Sequence, residues 1–395
     1  MRTFGVEEEM LLVDASTMAP MPVAEQIIQS IGPLKPDAMR VSAELQREQL
    51  ELITAPQRTF SAQLRSIRSS RAAVDEAAQR LGARLAAIGT APDLEWPHLY
   101  PDDRYERVSA QFQRTTDRHL TNGFHVHVAI GSRDEGVAVI DRIRPWLHAL
   151  LALSANSPFW RARDSGYASY RYQAWSQWPT SGPTEVFGSV AAYDEHRAAL
   201  LRTSVPLDRG MLYFDARLCD RFPTVEIRVA DVCTDATHAA AIAALVRALV
   251  ETCARDWHRG LDPDPVPGAV LRLWAWHASR YGVTGELADP LTGRMVPARA
   301  AVDRLLATVR PVLVDLGEWA EVRAVIEEII RVGGGASLQR AALGQAGDLA
   351  SMTRELVEAT TARCTTREWS AVEDPPAPVV ALRGRRPGAG RTRSA

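Results

Sequence analysis

The eight residues Thr224–Asp231, TVEIRVAD, alternate with the period of a β-strand. Val225, Ile227 and Val229 fall on one face, and Glu226 and Arg228 on the other. A carboxylate and a guanidinium two residues apart then project to the same side, about 6–7 Å apart along the strand. One attracts a cation and the other an anion, which is the pairing a phosphate–metal site requires. Alone, the pattern also describes a half-solvated antiparallel strand with a surface ion pair, so the choice rests on other segments.

Residues 3–14 (TFGVEEEMLLVD) alternate in the same way, with Gly5, Glu7, Glu9 and Leu11 opposed to Phe4, Val6, Glu8, Met10 and Leu12. Two glutamates on one face of a core-forming run are costly unless they are solvated or neutralised by cations. In VSAELQREQLELITAP, residues 41–56, Gln49, Glu51 and Ile53 oppose Leu50, Leu52 and Thr54, and the final TAP marks a strand exit. Glu44 stands seven residues before Glu51, a spacing that suits one helix face or a strand and the loop entering it. In TNGFHVHVAI, Gly123, His125, His127 and Ala129 share a face. His-x-His on a strand is a recurrent way to offer metal ligands, and a pair of satisfied polar-face histidines is the alternative.

Between these strands the chain reads as helix and loop. A 3.6-residue period predicts one long helix over 58–90, ending at Gly89, with its arginines on a solvated face. Residues 93–121 are irregular and rich in Pro, Tyr, Asp and Arg, a loop or lid candidate. Helices are expected over 135–157, 191–204, 235–257, 267–281 and 298–331, and a last one over 336–365 opened by the glycine-rich turn 331–340. The polar, aromatic stretch 163–185 suits recognition of a polar ligand. Residues 211–216 would form a strand pairing with 224–231. The Pro, Gly and Arg of 374–395 should form a disordered tail behind a single domain, 1–373. No internal repeat is visible.

Composition serves mainly to exclude. With 46% apolar and 24% charged residues and a net charge of −2, the chain is ordinary for a globular protein and lacks the basic excess of a nucleic-acid binder. Its four cysteines show no metal spacing, so a reducing cytoplasm is expected. No uncharged apolar run reaches transmembrane length, and Glu7, Glu8 and Glu9 stand where a secretory peptide needs its apolar core, so no membrane contact is expected. Lys35 is the single lysine, which excludes a Walker-type phosphate loop and leaves only Lys35 for a Schiff base.

Pooled, the polar faces offer Glu7, Glu9, Glu44, Glu51, His125, His127, Glu226 and Arg228. An α+β fold, one antiparallel sheet with helices behind and a concave charged face in front, would bring them together. Five carboxylates in one cleft need cations, and Mg²⁺ or Mn²⁺ fits oxygen-rich shells that tolerate one imidazole. Magnesium held by carboxylates commonly completes its shell with substrate phosphates, and Arg228 would clamp a phosphoryl group in transfer.

GVEEE, EL(x4)LEL.TAP, NGFHVHV, SYR(x3)W(x2)WP and TVEIRVAD follow one another in this order. Together, over about residues 3–370, they resemble the carboxylate–amine ligases of the glutamate–cysteine ligase type 2 family. The resemblance implies a glutamine synthetase-like fold and ATP-dependent joining of the glutamate γ-carboxylate to the amine of cysteine, or another amine, through a γ-glutamyl phosphate. It implies that Glu7, Glu9, Glu44, Glu51, His125 and Glu226 share two or three metal ions, and that Arg228 stabilises the γ-phosphoryl group. It assigns Arg171 to a phosphate or to glutamate. Partners would be small molecules, with a homodimer left open. Two rivals remain: a metal-dependent hydrolase of the amidohydrolase kind, which wants a (β/α)₈ barrel, and a non-catalytic ligand-binding descendant.

Overall fold

The computed structural model describes residues 1–31, 39–93 and 96–362. Lys35, Cys364 and the expected tail 374–395 lie outside them. The first half of the chain builds strands β1 (Phe4–Asp14), β2 (Arg40–Ala43), β3 (Gln49–Ile53), β4 (Ala83–Ala86) and β5 (Gly123–Ala129). Among them run helices α1 (Ala24–Ile31), α2 (Phe60–Gln79), α3 (Asp103–Phe112) and α4 (Arg114–Asp117). Next come α5 (Arg133–Ile143), α6 (Leu147–Ser154), the small β6 (Phe159–Trp160) and β7 (Arg163–Asp164), α7 (Tyr170–Trp175) and α8 (Val190–Arg202). The hairpin β8 (Ala216–Leu218) and β9 (Thr224–Asp231) leads into α9 (Ala236–His258) and α10 (Gly268–Tyr281). After β10 (Glu286–Ala288) and β11 (Met295–Pro297) the chain is helical, with α11 (Ala298–Asp315), α12 (Trp319–Val332), α13 (Gly334–Ala346) and α14 (Leu349–Thr361).

The main sheet is antiparallel, in the order β2-β3-β1-β5-β9-β8, with β4 also pairing with β1. Register sets the two faces. Ser42 lies opposite Glu51 and Glu51 opposite Glu9; Glu7 lies opposite His125, His127 opposite Glu226, and Glu226 opposite Arg217. Because side chains alternate along each strand, these partners line one polar face. The other face carries Phe4, Val6, Phe124, Val126, Val128, Val225, Ile227 and Val229, all buried in one large core. At its centre is α9, whose run Ala239–Ala244 is fully buried and whose small side chains let α2, α5, α11 and α12 approach closely. That helix is long and apolar enough to cross a membrane, yet 83% of its most apolar window is buried inside the fold.

The α+β expectation with an antiparallel sheet is met, while several elements differ from their periodicity. The expected helix 58–90 stops at Gln79. Gly82, at φ +73°, turns the chain into β4, which pairs with Leu11–Asp14. Its arginines are not all solvated: Arg71 is 1% exposed and pairs with Glu8 at 2.6 Å. Residues 93–121 hold α3 and α4 rather than irregular chain, α3 being capped by Asp102, whose side chain accepts from Arg104 N–H at 2.8 Å. The helix expected over 135–157 breaks at Pro145 in a short 3₁₀ turn. That over 298–331 breaks at Gly317 (φ +72°), and that over 336–365 begins earlier and breaks at Gly347 (φ +82°). The expected strand 211–216 is instead β8, two residues later at its end. The sheet contains no parallel βα repeat, which removes the (β/α)₈ hydrolase.

Candidate active site

Glu7, near the middle of β1, is the hub of the polar face. Its Oε2 is 3.2 Å from His125 Nδ1, and its Oε1 is 3.2 Å from His127 Nε2. Two sets of potential ligands meet there: Glu7, Glu51 and His125 form one, and Glu7, His127 and Glu226 the other. In each set the donor atoms lie within 4.8 Å of one another. His125 Nε2 is buried and has no hydrogen-bond partner, although it lies 3.6 Å from Glu9 Oε1. Glu9 is otherwise committed, its Oε2 accepting from the Gly123 N–H. Glu44 sits in the turn after β2, outside both sets, yet close enough to Glu9, Glu7 and Arg228 to feel their charges. Glu51 accepts from Ser42 Oγ at 2.7 Å.

The electrostatics are those of an acidic cluster short of cations. Burial and the nearby Glu9 push Glu44 up to about 8. Burial, Glu7 and Glu44 push Glu51 well above the ordinary carboxylate range. Burial works the same way on Glu7, but hydrogen bonding and charge from His125 and His127 hold it well below that range. Burial lowers His127, and this is outweighed by hydrogen bonds with Cys219 and Glu7, so that it rises to about 10. Burial and Arg228 lower His125. Metal ions do to such a cluster what protons do here, with more charge. The carboxylate oxygens and the free His125 Nε2 therefore fit a hard divalent cation that tolerates one imidazole per shell.

Arginines border the acids. Arg228 Nη1 donates to Glu226 Oε1, and Arg217 Nε donates to Glu226 Oε2 at 2.7 Å. Burial raises Glu226 but these two guanidiniums outweigh it, so it stays ionised well below the usual range. Arg171, at the first turn of α7, is 1% exposed. Its guanidinium lies across the Cα of Gly123: a Cβ built there would come 2.9 Å from Arg171 Cζ and 3.0 Å from His125 Nε2. A side chain at 123 would therefore push Arg171 off the polar face.

A second layer covers this face. Arg217 Nη1 donates to the carbonyls of Gly210 (3.1 Å) and Leu212 (3.0 Å), and Arg104 of α3 pairs with Asp208 at 2.6 Å. Val108, Trp178 and Met211, with Leu45, Phe112, Trp175 and Tyr213, form an apolar cluster behind it. The lid candidate 93–121 thus contributes an ordered helix over the site, except for residues 94 and 95, which lie outside the described set. A cavity of about 730 Å³ adjoins the outer end of the β8–β9 hairpin. Cys219 and Thr224 line it, and both hydrogen-bond to His127, Thr224 Oγ1 at 3.0 Å from Nδ1. Arg133, Arg197, Arg209 and Arg221 face it against Asp194 and Asp220, leaving positive charge in excess.

All eight site residues expected from the sequence are drawn toward one face, with Glu9 and Glu44 outside the two ligand sets. The resemblance leaves His127 out of the ligand set, and the sequence does not single out Arg217. His-x-His already gave His127 the right face, and only the β5–β9 register shows that it meets Glu226. Arg217 carried no signal until β8 was paired.

The chain matches a family model described as glutamate–cysteine ligase family 2 over residues 3–359. It is 44% identical over 360 residues, 91% of this chain and 99% of the relative, to a protein provisionally named glutamate–cysteine ligase 2-1 from Streptomyces avermitilis. It is 43% identical over 362 residues to a protein provisionally named glutamate–cysteine ligase 2 from Streptomyces coelicolor, covering 92% of this chain and all of the relative. A glutamate–cysteine ligase from Francisella tularensis, solved in complex with AMP, shares its fold at TM-score 0.62 and 12% identity, over 91% of this chain and 89% of that one. A bifunctional glutathione synthetase from Pasteurella multocida does so at TM-score 0.68 and 14% identity, over 91% of this chain and 52% of that one, about half its length.

Proposed function

The chain belongs to glutamate–cysteine ligase family 2, a family of carboxylate–amine ligases. On that premise we propose that it joins the γ-carboxylate of L-glutamate to the amine of L-cysteine, or of another amine. ATP would be consumed and ADP and phosphate released. The observation that carries the reading is the pair of ligand sets sharing Glu7, with Arg228 at their border.

A carboxylate is a poor electrophile at neutral pH. Transfer of the ATP γ-phosphoryl group gives γ-glutamyl phosphate, whose acyl carbon the amine attacks as phosphate leaves. Glu7, Glu9, Glu44, Glu51, His125 and Glu226, with His127 added, would hold two or three Mg²⁺ or Mn²⁺ ions. Bound there, such ions offset the charge of the ATP phosphates and of the substrate carboxylate. Arg228 donates to the phosphoryl oxygens as charge spreads over them, and Arg217 keeps Glu226 compensated meanwhile. Arg171 binds a phosphate or a glutamate carboxylate. The cavity beside His127 suits the nucleotide: it is roomy, cationic and open, and it touches the metal cluster through Thr224 and Cys219.

The test is ADP release measured with each component omitted in turn. The expected result is turnover only with ATP, glutamate, an amine and a divalent cation together. ATP cleavage indifferent to glutamate, or amide hydrolysis without nucleotide, would sink the proposal. A panel of amines in the same assay identifies the acceptor.

A further inference from the structure

The glycine-rich stretch 331–340 lies away from the ligand sets, and the buried contacts it makes lead to Arg171. Asp231, at the end of β9, is fully buried. Its Oδ2 accepts from Ser157 Oγ at 2.6 Å and from Asn156 N–H at 2.9 Å, and its Oδ1 accepts from Ser169 Oγ at 2.8 Å. The same two hydroxyls fix the start of α7: Ser157 Oγ accepts from Arg171 N–H at 3.0 Å, and Ser169 Oγ from Tyr172 N–H at 3.3 Å. All three short bonds to Asp231 come from neutral donors. Its charge is therefore left for the Arg171 guanidinium, whose Nη1 is 3.7 Å from Oδ1.

Asn156 is held from outside. Its Nδ2 donates to the carbonyls of Ala87 (3.0 Å) and Val232 (2.7 Å). Gln339 Nε2 of α13 donates to Asn156 O and Oδ1, each at 2.7 Å. Gly333 and Gly334, with φ of +83° and +73°, end α12 and start α13 so that Gly335 lies flat on Asn156, where any Cβ would overlap its side chain.

Arg171 itself makes only long contacts. Nη2 reaches the Arg228 carbonyl at 3.5 Å, and Nε is buried without a hydrogen-bond partner. Its donors are aimed but uncommitted, which suits an arginine waiting for an anion.

We propose that Asp231, seated by Asn156 and backed by the entrance of α13, is a positioning residue that aims Arg171 at the substrate anion. This rests on the reading of Arg171 given above. Two measurements on the full-length protein separate the two. The first is the Arg171 side-chain Nε–H resonance in ¹⁵N-arginine-labelled protein, assigned by its loss in Arg171→Lys, with no substrate present. Asp231→Asn keeps the volume but turns an amide toward donors, and it should speed hydrogen exchange at that Nε–H at least tenfold; Gln339→Leu should do so about threefold. Unchanged exchange in Asp231→Asn overturns the proposal whatever the enzyme does. The second is steady-state kinetics. Asp231→Asn and Arg171→Gln should each change the same substrate's KM, or kcat, at least tenfold, and the double variant should be no worse than Arg171→Gln alone. Effects that multiply, or that fall on different substrates, also overturn it. Wild-type protein without ligase turnover, but with Arg171 loosened in Asp231→Asn, would keep the positioning role and discard the ligase reading.

Discussion

Glu8 stands between two glutamates that face the acidic cluster, yet it points to the opposite side of β1, where Arg71 closes on it at 2.6 Å. Arg71 also donates to the carbonyls of Thr234 and Cys233, both at 2.7 Å, so the pair ties β1 to the segment after β9. Glu8→Ala leaves that guanidinium buried and unpaired, a loss of about 3–5 kcal/mol. Denaturant titration should show it, while KM values of the folded protein stay near wild type. Glu51 should behave in the opposite sense. Its burial beside Glu7 and Glu44 makes its charge a burden on the metal-free fold. Glu51→Gln is expected to raise the metal-free Tm at pH 8 and to lower turnover by about 10²-fold or more. Arg228→Ala leaves Glu226 compensated by Arg217, so the fold should persist while kcat falls about 10²–10³-fold. Near-normal kcat in that variant would remove Arg228 from the mechanism.

Strand β5 shows how an element serves the site through what it lacks. Gly123 gives Arg171 its space over the strand, and its N–H engages Glu9. Gly123→Ala should leave the strand paired and cost stability of only about 1–3 kcal/mol, yet cost turnover as heavily as losing Arg171. Parallel loss of Tm and activity would argue against this. The same scale explains where periodicity misled. A 3.6-residue pattern runs on through Arg80 to Gly89 because β4 is only four residues long, and nothing local says that it pairs with Leu11–Asp14. Breaks at Gly82, Gly317 and Gly347 depend on positive φ values that a glycine permits but does not impose.

Across the whole molecule, the cluster sets a pH dependence with a definite sign. Glu44 keeps its proton up to about 8 in the fold, against 4.5 ordinarily, and Glu51 shifts the same way. His127 keeps its proton up to about 10 against 6.5, while His125, lowered by burial and Arg228, works the other way. Between pH 6.5 and 8 the folded chain therefore binds more protons at these groups than the unfolded one, and stability falls as pH rises. The metal-free Tm should decline across that window. Added Mg²⁺ or Mn²⁺ should restore it, more at pH 8 than at 6.5, with protons released on binding. A flat metal-free profile, or rescue that weakens with pH, would contradict the cluster's charge balance.

The sequence by itself determined β1, β3, β5 and β9 and their faces, because alternation with period 2 is a local property that Glu7, Glu9, Glu51, His125, Glu226 and Arg228 each satisfy within a few residues. It also carried the family, since five motifs in one order constrain more than any one of them. Tertiary structure alone decided who meets whom. Glu7 became the hub through the β1–β5 register, His127 and Arg217 joined Glu226 through β5–β9–β8, and a glycine turn at 333–335 came to support Arg171 through Asn156. Those are contacts between residues 99 or more apart in the chain, or across a hairpin whose strand was misplaced, and no local spacing encodes them.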